Sequence, residues 1–198
     1  MELEPNHEAG AETYSREPEF DDIARIGAEL NRLGAKYVVV GGFAVIRCGY
    51  PRFTSDIDLL IDCSQENERL VLDGLRILPD QASRLVEPGA VAENVVVRIG
   101  DEVTVDLMKS GCGVDYAAAI ADARIHEING VPIPFASPLT LWRMKQTVRE
   151  KDIPDRLFLR QVLAAEGTPV EDADPDAGKD QAWIARFRRW LVRKLGGA

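Results

Sequence analysis

Between Val38 and Asp62 the chain reads VVVGGFAVIRCGYPRFTSDIDLLID. A β-branched run ends on Gly41-Gly42, and a second apolar run carries Asp56 and Asp58. Side chains two apart on a strand point to the same face of a sheet. Two carboxylates so placed repel each other, and taking them out of water is costly. A fold keeps such a pair most readily where a divalent cation neutralises it. A glycine pair at a strand end lets a phosphate come close to the backbone. A phosphate site beside a two-carboxylate metal site points to phosphoryl or nucleotidyl transfer.

At 198 residues the chain suits one domain, or one domain with a small appendage. Its longest apolar runs fall far short of the roughly 20 residues of a membrane span. The N-terminus, MELEPNHEAGAETYSREPE, is acidic and has no apolar segment of the secretory kind. Cys48, Cys63 and Cys112 show no metal-ligand spacing and read as buried or half-buried thiols in a reducing cytosol. The expected location is cytoplasmic. The net charge of −9 is unevenly spread: residues 1–20 and 166–180 each carry −5, whereas 181–198 carry +5. A broad nucleic-acid-binding surface is therefore not expected, although a local basic patch is compatible with the pattern.

The pattern predicts an α+β fold: a small mixed β-sheet with helices packed on one side, followed by a helical C-terminal portion. Residues 1–17 read as a disordered acidic arm. Residues 18–136 form the core, 137–165 a helical subdomain, 166–180 an acidic linker and 181–198 an amphipathic basic helix. Within the core, a helix is expected over 18–33, with Gly34 as its stop. Strands are expected at Tyr37–Val40 and Ser55–Ile61, with a short helix at Ala44–Cys48 between them. Ser64 is a good N-cap for a helix over about 65–78. Asn94–Ile99 and Glu102–Met108 read as a hairpin turning at Gly100-Asp101, and residues 114–122 as a short helix. His126–Ile128 and Val131–Phe135 flank Asn129-Gly130, a strong hairpin signal. Ser137-Pro138 reads as an N-cap and first-turn proline. In the last helix Trp183, Phe187 and Trp190 share a face, which is expected to pack on the protein or on a second copy as a homodimer contact.

One Mg²⁺ is held poorly by two carboxylates, and two-metal displacement recruits a third. Asp106, in VTVDLM, faces away from Val103, Val105 and Leu107 and fits that place. Asp101 and Glu102 lie at the expected turn and are weaker candidates. Asp62 shares parity with the pair but ends the strand.

Gly41-Gly42, then Thr54-Ser55-Asp56-Ile57-Asp58-Leu59, then Asp106 on a later strand, resembles the DNA polymerase beta-like nucleotidyltransferase superfamily. The motif region covers roughly residues 36–108. The second glycine is often Ser in that superfamily; here Gly42 removes a hydroxyl from the phosphate site. Ser137-Pro138 and LWRMKQTVREKDIPDRLFL look like the closing helices of bacterial nucleotidyltransferase-like proteins, including the abortive-infection toxin group. Lys145 matches the helix lysine of that group, and Asp152 and Asp155 match its paired acids. Read from the residues alone, these two acids are capping or salt-bridge groups.

The resemblance implies a Mg²⁺-dependent enzyme, with Mn²⁺ as an alternative ion, that moves an NMP from an NTP to an acceptor hydroxyl. Asp56, Asp58 and Asp106 are the implied metal-binding and catalytic residues. Gly41, Gly42, Arg52, Thr54 and Lys145 are the implied nucleotide contacts. The implied acceptor is RNA such as a tRNA end, a protein or a small molecule, and the chain would be the toxin of a toxin–antitoxin pair with an antitoxin partner. The alternatives are an aminoglycoside-type enzyme and a non-catalytic nucleotide-binding or antitoxin-like module.

Overall fold

The computed structural model describes residues 15–170. The acidic arm through residue 14, the linker from residue 171 and the helix expected over 181–198, with its proposed homodimer contact, lie outside the described residues.

Helix α1 (Phe20–Leu33) opens on a capping box between Glu19 and Asp22 and closes on Gly34 at φ 72°. It buries Ile23, Ile26 and Leu30. Strand β1 (Tyr37–Val39) follows, then helix α2 (Gly41–Arg47) and strand β2 (Asp56–Ile61). Helix α3 (Gln65–Gly74) starts where the Ser64 hydroxyl accepts from the Asn67 N–H. Helix α4 (Ala90–Glu93) leads to strands β3 (Val96–Gly100) and β4 (Thr104–Met108). A two-residue pairing of β5 (Ser110–Gly111) with β6 (Val114–Asp115), which the sequence pattern does not announce, precedes helix α5 (Tyr116–Ile120). Strands β7 (Arg124–Ile128) and β8 (Val131–Phe135), helix α6 (Pro138–Met144) and helix α7 (Ile153–Ala165) complete the chain as described.

The main sheet has the order β3-β4-β2-β1-β8-β7. It is mixed: β2 runs parallel to β4 and β1 to β8, while the other pairs are antiparallel. The fold is therefore the α+β class with a mixed sheet that the pattern predicts. The Asn129-Gly130 hairpin is present, with both residues at positive φ (53° and 79°), as a two-residue turn of this kind requires. On one face of β2 and β4 lie Ile57, Leu59, Val105 and Leu107, all at or near zero exposure. The opposite face of the same strands carries Asp56, Asp58 and Asp106.

Four expectations are corrected. The helix after Gly41-Gly42 begins at the glycines rather than at Ala44. The β3–β4 turn is not the two residues Gly100-Asp101: Gly100 pairs with Thr104, so residues 101–103 form the loop. The loop is held open by Asp101, whose buried carboxylate accepts from the N–H groups of Asp80, Ala82 and Glu102. The disordered arm does not extend to residue 17, because the Ser15 hydroxyl donates to the Asp101 carbonyl and Arg16 pairs with Asp22 and Glu102. At the other end, Glu166 belongs to the fold: both its oxygens accept from Arg124, at 2.9 and 2.7 Å.

Among the described residues no helix is long and apolar enough to cross a membrane.

Candidate active site

The parallel pairing of β2 with β4 sets Asp58 directly beside Asp106, and Asp56 beside Thr104. All three carboxylates thus share one face, as strand parity predicts. They line one cavity of about 360 Å³, together with Gly41, Gly42, Arg52, Thr54, Arg98, Cys112, Met144 and Lys145. Every residue that the sequence assigned to the site lies at this cavity. The weaker candidates do not: Asp101 is spent on the β3–β4 loop, Glu102 pairs with Arg16 and Arg25, and Asp62 accepts from Ser64 beyond the end of β2. Cys112, expected to be at least half-buried, is exposed, whereas Cys48 and Cys63 are partly buried.

The glycine pair is required by close approach. Gly41 has φ 60°, and a Cβ there would stand 1.7 Å from Asp58 Oδ2. A Cβ on Gly42 would stand 2.2 Å from Thr54 Oγ1. A serine at position 42 would therefore displace Thr54, which gives a steric reason for the Gly-Gly form of the motif in this chain. The Gly42 N–H favours the charged form of the Asp58 carboxyl, and the Val40 N–H donates to the Asp58 carbonyl at 3.0 Å. The glycine turn thus positions Asp58 as well as leaving room beside it. Gly41→Ala is expected to lower stability by about 1–3 kcal/mol or more, because an unfavourable φ and a collision with Asp58 act together; urea unfolding measures it.

Burial pushes the Asp58 carboxyl up to about 6, and the neighbouring charges of Asp56 and Asp106 add to the effect. Lys145 and the Gly42 N–H oppose it. A carboxylate driven toward its neutral form by its own surroundings is one that a cation would stabilise strongly. In chemical kind, and in sharing one sheet face and one cavity, the three acids suit a divalent ion. They do not form a ready cage. Among the described residues no three Asp, Glu, His or Cys groups stand close enough to hold a metal.

Two of the three acids are instead engaged by Arg98, which the sequence reading did not single out. It sits on β3 directly opposite Asp106. Its Nε donates to Asp106 Oδ1 at 2.8 Å and its Nη2 to Asp106 Oδ2 at 2.7 Å. The same Nη2 reaches Asp56 Oδ2 at 3.2 Å. The signal that could have found it is the hairpin register: a turn at Gly100-Asp101 would place Val95 opposite Asp106, whereas the three-residue loop places Arg98 there.

Lys145 is also placed differently from expectation. α6 ends at Met144, so Lys145, Arg149 and Asp152 do not share an unbroken helix face. The chain instead folds back, and Lys145 Nζ lies 2.9 Å from Asp152 Oδ1 and 3.0 Å from Asp155 Oδ2. Thr147 and Arg149 also donate to Asp152. Arg52 donates to Asp155, which ties the loop before β2 to the start of α7. Asp152 and Asp155 are therefore the salt-bridge residues that the bare sequence made them. Burial alone would raise the Asp152 carboxyl, but hydrogen bonds from Thr147 and Lys145 outweigh it and hold the group below its usual range.

No protein-family model matches the chain. No curated protein matches it in sequence. Among solved structures, one similar chain is an antigenic nucleotidyltransferase-like protein from Paracoccidioides brasiliensis. It is 18% identical, the match covers 89% of this chain and 91% of that one, and the TM-score is 0.42.

Proposed function

We propose that this protein is a divalent-metal-dependent nucleotidyltransferase that moves an NMP from an NTP to an acceptor hydroxyl and releases pyrophosphate. The observation that carries the reading is the meeting of Asp56, Asp58 and Asp106 on one sheet face, in one cavity, against a glycine turn with no room for a side chain.

Asp56 and Asp58 would hold the ion that accompanies the triphosphate, Mg²⁺ or Mn²⁺, and Asp106 would help to hold a second. When bound, such ions neutralise the phosphates and polarise the phosphorus under attack. Asp106 orients the acceptor hydroxyl and takes its proton. The Gly41-Gly42 turn lets the triphosphate lie close to the backbone, with Thr54 beside it. Arg52 shapes that wall through its pair with Asp155. Lys145 contributes a fixed positive charge that acts on Asp58 from the cavity wall. Most of the catalysis in such chemistry is positioning and charge stabilisation, and these residues supply both.

The cavity lining also carries Arg98, Arg149 and Lys151, so with Arg52 and Lys145 its basic side chains outnumber its three acids. That suits an anionic acceptor, and among acceptors it favours RNA, including a tRNA end, over an aminoglycoside. The toxin reading rests on this acceptor class and on the 137–159 sequence pattern. Incubation with each α-labelled NTP, Mg²⁺ and in turn total RNA, total protein and aminoglycosides tests it. Label is expected in one acceptor pool, and Asp58→Asn should abolish it. No incorporation and no pyrophosphate with any pool would contradict nucleotide transfer.

A further inference from the structure

The fork between Arg98 and Asp106 is bidentate and charge-assisted, and its second nitrogen reaches Asp56 as well. A single guanidinium thus ties together two of the three acids that the proposed metal site needs. Two features make the tie a releasable one. The Arg98 side chain is 63% exposed, against 10% for Asp106. It also projects from β3, the edge strand of the sheet, so it can turn outward without disturbing the core.

A dication cannot share this place with a guanidinium. Both Asp106 oxygens are engaged by Arg98, and the positive charge lies within about 3 Å of Asp56 and Asp106. We propose that Arg98 is a built-in counter-ion that holds the carboxylate cluster in the metal-free chain and must leave Asp56 and Asp106 before a divalent ion enters. The inference rests on the metal site read above. It has one direct consequence: an ion arriving alone has to break the fork with nothing to receive the guanidinium. An NTP arriving with the ion offers anionic oxygens to the displaced arginine at the cavity opening. Metal and nucleotide therefore bind cooperatively, and Arg98 is the source of the coupling. Its role is positional: it gates the metal and steers the phosphates, and it takes no part in bond making.

The test is a Mn²⁺ titration of the full chain without nucleotide, followed by the EPR signal of the free ion. Wild type, Arg98→Gln and Arg98→Lys are compared, with Asp58→Asn as the control for the site. Arg98→Gln is expected to bind Mn²⁺ roughly ten-fold more tightly than wild type, or more. Arg98→Lys, which keeps the charge but loses the fork, should lie between them. Adding a non-hydrolysable NTP analogue should tighten Mn²⁺ binding by a larger factor in wild type than in Arg98→Gln. In the wild-type chain the Arg98 Nε–H resonance should leave its Asp106-bound position as Mg²⁺ and the analogue saturate the site. This last measurement does not depend on any variant folding.

Equal or weaker Mn²⁺ binding by folded Arg98→Gln, or an Arg98 Nε–H signal unmoved at saturation, overturns the inference. If the wild-type binding is still lost in Asp58→Asn, the metal site itself stands. If neither wild type nor Arg98→Gln binds Mn²⁺, or Asp58→Asn binds it equally well, the metal reading and this inference fall together.

Discussion

Asp58→Asn is expected to lower nucleotide transfer by about 10²–10³-fold or more while making the metal-free protein more stable. Asp58 lies at the wall of the cavity and feels the negative charges of both Asp56 and Asp106. Its ionised form is disfavoured by burial first and by its two acidic neighbours second. An amide of the same shape keeps the Gly41 clearance and removes the repulsion. The gain should be about 1–2 kcal/mol near neutral pH, measured by urea unfolding without metal. The pH dependence distinguishes this origin from others. The folded-state value of about 6 lies above the ordinary carboxylate value of 3.8, so across that interval the native state binds the extra proton. Wild-type stability from this group is therefore greatest below about pH 4 and falls as pH rises toward 6. In Asp58→Asn that falling step should be absent. Since an ion needs the deprotonated carboxylate, Mg²⁺ affinity should rise over the same interval.

Lys145→Met is expected to cost about 3–5 kcal/mol of stability, the scale of leaving buried charge unpaired. Lys145 bridges Asp152 and Asp155, whose side chains are 1% and 2% exposed. Without it, two nearly buried carboxylates face each other, and Arg149 and Arg52 satisfy only part of each. Chemical unfolding measures the loss. A Lys145→Met, Asp152→Asn pair should recover a large share of it, which a pure packing defect would not. Asp152 is held below its usual range in the native state, so its contribution is present above about pH 4 and is lost as pH falls below that value. The stability difference between wild type and Asp152→Asn should accordingly shrink in acid. Lys145 also lowers the proton affinity of Asp58. Its removal should move the pH dependence of Mg²⁺ binding upward, so an altered pH profile accompanies the lost stability.

The parts of this fold written in local sequence were legible. Ser64 and Ser137 cap their helices as the residue types require. Asn129-Gly130 turns a hairpin, and the alternation around Asp58 and Asp106 puts the acids on one face and Ile57, Leu59, Val105 and Leu107 on the other. The parts decided by long-range contacts were not. The β3–β4 register depends on Asp101 accepting from residues 80 and 82, some twenty positions away, so a local turn signal misplaced it and hid Arg98. Lys145 looked like a substrate contact on a continuous helix. The break after Met144 and the return of α7 instead bring two acids to its ammonium. A side chain whose charge is met only because a helix breaks and the chain folds back is one that a linear reading assigns to a ligand too readily.

In the proposed function Asp56, Asp58 and Asp106 form a metal–nucleotide site against the Gly41-Gly42 turn. The most direct test is a crystal of the protein with Mn²⁺ and an NTP analogue that cannot be cleaved between the α- and β-phosphates, examined by anomalous scattering. The expected result is a Mn²⁺ peak held by Asp56 and Asp58, the triphosphate lying along residues 41–42, and Arg98 turned away from Asp106. A triphosphate bound elsewhere, or no Mn²⁺ peak at Asp56 and Asp58 with Arg98 still bridging Asp56 and Asp106, would contradict it.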